Sequence, residues 1–174
     1  MEDNNNTITS LHQLLNYDAR KFLVSEVQLQ NILPKWMNTA GSIKLKTVLQ
    51  RYHDYAQQHV QKMEEFFAQE NNNSPGFSNR VMQIFIEEAE EKLANCKDAA
   101  LKDACLLASV QQINHFKISM YGTAAAFANA LGMEKSAEIF HEAEVNEKQV
   151  DDRLSQLAEH EINNEARTTI VLNR

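Results

Sequence analysis

Helix breakers are almost absent from this chain: four Gly and two Pro in 174 residues. Glycine adds backbone entropy to the unfolded state and proline removes an amide donor. Their scarcity favours long helices over a sheet of short strands joined by tight turns. Where breakers do occur, they punctuate. Ala40-Gly41-Ser42 reads as a turn, Asn71-Asn72-Asn73-Ser74-Pro75-Gly76 as the clearest loop, and Gly132 as a left-handed helix terminus.

Apolar residues recur between these marks at the i, i+3, i+4 spacing of a helix face. After a polar leader (1–8), Thr9 or Ser10 can cap a first helix over about 11–39, with Leu15, Phe22, Leu29, Leu33 and Trp36 inward. Pro34 predicts a kink or break in it. Ser42 caps a second helix over about 43–69, with Leu49, Tyr52, Ala56, His59, Met63 and Phe66 inward. A shorter helix over about 79–94, with Val81, Ile84, Phe85 and Ala89 inward, reads as a crossover. A third long helix opens near Asp98 and ends at Leu131-Gly132. Its stripe is Leu106, Val110, Ile113, Lys117, Met120 and Ala124, with Asn114 and Tyr121 beside it. A fourth runs over about 134–164, with Ala137, Phe140, Glu144, Glu147, Asp151, Leu154 and Leu157 inward, and a tail follows (167–174). Two long helices, a crossover and two more long helices make an all-α, ferritin-like four-helix bundle with an additional short helix, one domain over 9–166.

The net charge of -7 lacks the basic stripe that phosphate backbones require, so nucleic acid is not an expected partner. Basic residues are scattered among acids, and no run approaches the roughly 18 apolar residues of a membrane helix, so no membrane partner is expected. The start is acidic and polar, without a basic segment and apolar run, which points to a cytoplasmic protein. Cys96 and Cys105 form no CxxC pair and read as free thiols of a reducing compartment.

The chemistry lies in polar residues that the helical period turns inward. Glu26 falls between Phe22 and Leu29, His59 between Ala56 and Met63, and Glu147 and Asp151 stand one turn apart on the fourth stripe. A carboxylate in a bundle core is costly unless paired or ligated. Glu26, His59, Glu147 and Asp151 are therefore candidate ligands for iron or manganese. The competing reading is a buried hydrogen-bond network, and Lys117 bears on the choice. Its ammonium can neutralise Glu26 and Glu147 without metal and would repel a divalent ion. Asn114, one turn away, is a poor iron ligand beside a carboxylate. Tyr55 and Tyr121 either donate hydroxyls to this network or pack at its flanks.

Other signals are weaker. Glu138-Ile139-Phe140-His141 matches the ExxH pair of di-iron bundles, but its phase places it outward or at a flank. His115 lies about 100° round the helix from Asn114. The run Glu87-Glu88-Ala89-Glu90-Glu91 reads as a solvated face. No phosphate-binding loop, dinucleotide fingerprint or catalytic triad can be assembled.

Several strings in order carry a resemblance: Ser25-Glu26-Val27-Gln28-Leu29, Leu33-Pro34-Lys35, His59 to Glu64, Gln112-Ile113-Asn114-His115-Phe116-Lys117-Ile118, Tyr121-Gly122-Thr123, and Asn146-Glu147-Lys148 through Asp151. Over about 11–166 the chain resembles the YciE/YciF family of bacterial proteins. The resemblance implies a five-helix ferritin-like fold, often dimeric, linked with stress response and carrying a di-metal site. In the family pattern the first helix supplies a Glu, here Glu26. The second supplies a Glu and a His four residues on, where this chain has Tyr55 and His59. The third reads Glu-His-Tyr-Glu, where this chain has Asn114, His115, Phe116 and Lys117. The fourth carries Glu-Glu and an Asp, where this chain has Asn146, Glu147 and Asp151. Both third-helix carboxylates are replaced. The expected function is thus a stress-associated, non-enzymatic protein, a homodimer without a cofactor, whose degenerate metal site is replaced by a buried polar network of Tyr55, Asn114 and Lys117. The alternative is an iron or manganese protein with oxidase, peroxide-scavenging or storage chemistry.

Overall fold

The computed structural model describes residues 7–71 and 78–168. The leader up to residue 6, most of the predicted asparagine-rich loop (72–77) and the tail beyond 168 lie outside the described residues. Helix α1 runs Leu11–Thr39, α2 Ile43–Gln69, α3 Arg80–Asn95, α4 Ala99–Ala130 and α5 Glu134–Leu157. A π turn, Ala158–Ile162, then leads into the short α6, Asn163–Thr168. The helix predicted over 134–164 therefore continues past its expected end, through a local change of winding.

Short polar side chains define the starts. Ser10 Oγ accepts from the Gln13 amide, Ser42 Oγ from Leu45, Asn79 Oδ1 from Met82 and Asp98 Oδ1 from Leu101, each satisfying an otherwise orphaned N–H. Gly132 closes α4 with φ of 69°, a left-handed geometry that glycine adopts at least cost. Pro34 sits exposed within an uninterrupted α1, so no break occurs there. It forfeits one intrahelical bond on the solvent side while Leu33 and Trp36 remain fully buried. The tight turn from α1 to α2 is fastened from a distance. Asp103 on α4 is buried, and its two oxygens accept from the Gly41 and Ser42 amides at 2.7 and 2.8 Å.

α1 packs along α2 and α4 along α5, and the two pairs close through α2–α5 and α1–α4 contacts. α3 lies outside the four, against α4 and the edge of α1. Half of its predicted face holds: Ala89 is buried and Phe85 packs partly buried on the core, but Val81 and Ile84 are exposed, and Met82 and Leu93 are buried in their place. A helix packed on a bundle by one narrow edge buries a single row, and the row at 82, 89 and 93 is the one that meets α1 and α4.

The bundle has two apolar cores. One is built around Leu33, Trp36, Leu49, Leu106, Val110 and Leu154, the other around Leu15, Phe22, Phe66, Ala124 and Phe140. Along each long helix a polar residue marks the boundary between them: Glu26 after Phe22, His59 before Met63, Asn114 and Lys117 before Met120, and Glu147 after Ala143. These five form a polar layer across the middle of the bundle.

Candidate metal centre and buried polar network

Glu26, Asn114, Lys117 and Glu147 have no exposed surface, and His59 has 2%. Charges removed from water to this degree persist only when they compensate one another. Lys117 Nζ lies 3.0 Å from Glu26 Oε2 and 2.5 Å from Glu147 Oε1, bridging carboxylates from α1 and α5. Both contacts are ion pairs between groups with no exposed surface. The ammonium also lies 4.6 Å from the centroid of the Tyr52 ring, a cation–π contact.

The remaining carboxylate oxygens face proton donors. Tyr121 Oη donates to Glu26 Oε1. Tyr52 Oη donates to Glu147 Oε2 at 2.9 Å, and Asn114 Nδ2 donates to the same oxygen at 2.7 Å and to the Glu147 carbonyl at 3.0 Å. His59 Nδ1 lies 3.3 Å from Glu26 Oε1 and 3.5 Å from Glu147 Oε1, and its Nε2 lies 3.4 Å from the Asn146 amide nitrogen. The imidazole thus lies between the two carboxylates on one edge and Asn146 on the other.

The two carboxyls are pushed in opposite directions. Burial raises Glu26, but the Lys117 ammonium, then His59 and the Tyr121 hydroxyl, outweigh it and hold the group at about 2. Burial raises Glu147, Lys117 opposes this, and the charge on Glu26 adds to the rise. Lys117 is itself raised: burial disfavours its charge, and Glu147 and Glu26 overcome that cost. Tyr52 and Tyr121 are held as neutral donors well above the usual phenol range, by burial first and then by Glu147 for Tyr52 and Glu26 for Tyr121. The directions favour a charged Glu26 paired with Lys117, with Glu147 as the more readily protonated carboxyl.

Of the candidate ligands, Glu26, His59 and Glu147 converge, with donor atoms all within 4.8 Å of one another. Asp151 does not join them. It is partly exposed, and its Oδ1 pairs with His115 Nε2 at 2.9 Å on the outer face. The buried row of α5 steps through Phe140, Ala143, Glu147, Val150, Leu154 and Leu157, which puts Asp151 one residue, about 100°, past Val150. Glu144, predicted inward, likewise sits at the flank, paired with Lys148 at 2.6 Å. Tyr55 is buried at the edge of the layer. Its ring stacks on His59 at 6.2 Å, while its hydroxyl turns outward to Gln149 at 2.8 Å. Glu138 and His141 are exposed, as their phase predicted. The sequence reading missed the Tyr52 hydroxyl; Asn146, which the family pattern aligned with a fourth-helix carboxylate, reaches His59 instead. Tyr52 stood on the predicted stripe of α2, and its place seven residues before His59 was the available signal.

Each of the four inward carboxylate oxygens therefore faces an ammonium, a hydroxyl, an amide N–H or an imidazole. A carboxylate-bridged metal pair needs those oxygens' lone pairs and a third-helix carboxylate, and Asn114 presents its N–H to Glu147 instead. The donor set does not fit such a pair.

Comparison with known proteins agrees with this architecture. Residues 10–167 match the family model described as a domain of unknown function (DUF892). YciF of Escherichia coli K12 is 29% identical over 143 residues, covering 82% of this chain and 86% of that one. The crystal structure of the E. coli stress protein YciF superposes with a TM-score of 0.85 at 24% identity, covering 90% of this chain and 99% of that one. YcfI of Rhodopseudomonas palustris gives a TM-score of 0.84 at 24% identity, covering 87% and 96%. A two-domain protein of Anabaena variabilis, with a DJ-1/ThiJ/PfpI-like and a ferritin-like domain, gives 0.62 at 12% identity, and the match covers 46% of its chain. The fold is the ferritin-like bundle, and the chain belongs to the DUF892 family.

Proposed function

We propose that this protein is a non-enzymatic, cytoplasmic, stress-associated member of its family in which the Lys117 ammonium stands in for metal. The observation that carries the reading is the position of Lys117 Nζ, 3.0 Å from Glu26 Oε2 and 2.5 Å from Glu147 Oε1 at zero exposure. A fixed cation at that point supplies part of the positive charge a metal would bring and takes its place between the carboxylates, so the bundle can close without loading. The likeness to E. coli YciF, described as a stress protein, supports the stress association. With a net charge of -7, the expected partner is a second copy or another protein, not nucleic acid or a membrane. Lys117→Glu removes the cation and restores a carboxylate to α4. The variant is expected to retain more iron or manganese after desalting than the parent, and no gain would overturn the proposal.

A second reading is favoured by two observations. Glu26, His59 and Glu147 offer donors within 4.8 Å, and Asn114 Oδ1 is a buried acceptor without a hydrogen bond. Under it, iron or manganese binds these residues once Lys117 moves aside, and oxidase, peroxide-scavenging or storage chemistry follows.

A further inference from the structure

The outer surface between α2 and α5 holds a cleft of about 730 Å³, within the roughly 300–1,000 Å³ typical of small-molecule sites. Val48 and Val150 give it an apolar wall, and Arg51, Tyr55, Gln149 and Arg153 supply its polar groups. Among the described residues, the only other charged side chain lining it is Asp152. Two guanidiniums against one carboxylate leave the cleft with one excess positive charge, on a protein whose net charge is -7.

Arg51 is preorganised. Its Nη2 and Nε donate to Tyr55 Oη at 2.9 and 3.3 Å, and its guanidinium lies 5.0 Å from the Tyr55 ring centroid. Tyr55 is in turn clamped by its hydroxyl to Gln149 Oε1 at 2.8 Å. A guanidinium carries five N–H donors in a planar fork, so two donors aimed at one hydroxyl leave others for a ligand. Among the described residues, neither Arg51 nor Arg153 makes an ion pair with a carboxylate.

We propose that this cleft binds a small organic anion, a carboxylate or a phosphate ester, with its oxyanion between Arg51 and Arg153 and its apolar part on Val48 and Val150. The forked donors suit a planar or tetrahedral oxyanion, and a compact hydrophobic ion would leave Gln149 and the arginines unpaired. The proposal is independent of what occupies the polar layer. The Tyr55 ring that holds Arg51 also stacks on His59, with an interplanar angle of 6°.

The test is calorimetric titration of the full chain at low ionic strength with citrate and, separately, with inorganic phosphate. Arg51→Gln, Arg153→Gln and the distant exposed control Arg80→Gln are compared, with melting curves to show that each folds. One saturable site for either probe, weakened tenfold or more by each cleft variant and unchanged by the control, supports the proposal. Binding of citrate alone assigns the carboxylate class, and binding of phosphate alone assigns the phosphate class. Absence of saturable heat with both probes, or equal weakening in Arg80→Gln, overturns it.

Discussion

Replacing Lys117 by methionine keeps most of its volume and removes its charge. The side chain has no exposure and meets Glu26 and Glu147 at 3.0 and 2.5 Å. Methionine fills irregular core space well, so the cavity contribution is small. The damage is electrostatic: two fully buried carboxylates are stranded around one histidine. Removing one partner of a buried ion pair costs about 3–5 kcal/mol. In a domain of this size each kcal/mol moves Tm by roughly 2–4 °C, so Lys117→Met should lower it by about 6–20 °C at pH 7. Thermal unfolding followed by circular dichroism measures this directly. Adding Glu26→Gln to Lys117→Met removes one stranded charge and should recover part of the loss, giving a coupling that separate contributions would not produce. A loss below about 1 kcal/mol in Lys117→Met would refute the reasoning, because such a value belongs to an exposed pair.

Two further perturbations test the surrounding structure. Glu26 is held at about 2 in the folded state, below its ordinary 4.5, so its contribution is present above pH 4.5 and is lost as pH falls towards 2. Urea unfolding across that interval should show a shallower pH slope in Glu26→Gln than in the parent, and an unchanged slope would count against the Glu26–Lys117 pair. Asp103→Ala leaves the Gly41 and Ser42 amides without their carboxylate acceptor. It should cost about 2–4 kcal/mol, read as a lower urea midpoint at unchanged m-value.

Much of this architecture was legible because breakers and caps coincide. Gly41 and Ser42 mark the junction of α1 and α2, and both helices have the bounds that the sequence predicts. α3 was harder. Val81 and Ile84 are as apolar as core residues, but periodicity does not say which side of a short, outer helix finds a neighbour. At the polar layer, Glu26, His59 and Lys117 each stood between apolar neighbours on their stripes, and Glu147 fell midway between Phe140 and Leu154 on the α5 row; that made them readable. Asp151 did not behave like them because four residues overshoot the α5 row, which advances by three after Glu147 to Val150. Asp103 escaped notice for another reason. Its partners are backbone amides 61 and 62 residues earlier, a tertiary contact that leaves no local pattern.

The most direct test of the central claim is the metal content of the untagged parent protein by elemental analysis. The protein is loaded anaerobically with ferrous iron, and in a separate sample with manganese, and then desalted. The account predicts near-zero retained metal, because the Lys117 ammonium already sits between Glu26 and Glu147 and pairs with both. Stoichiometric metal that disappears in Glu26→Ala or Glu147→Ala would contradict it and make oxygen and peroxide reactivity the next question.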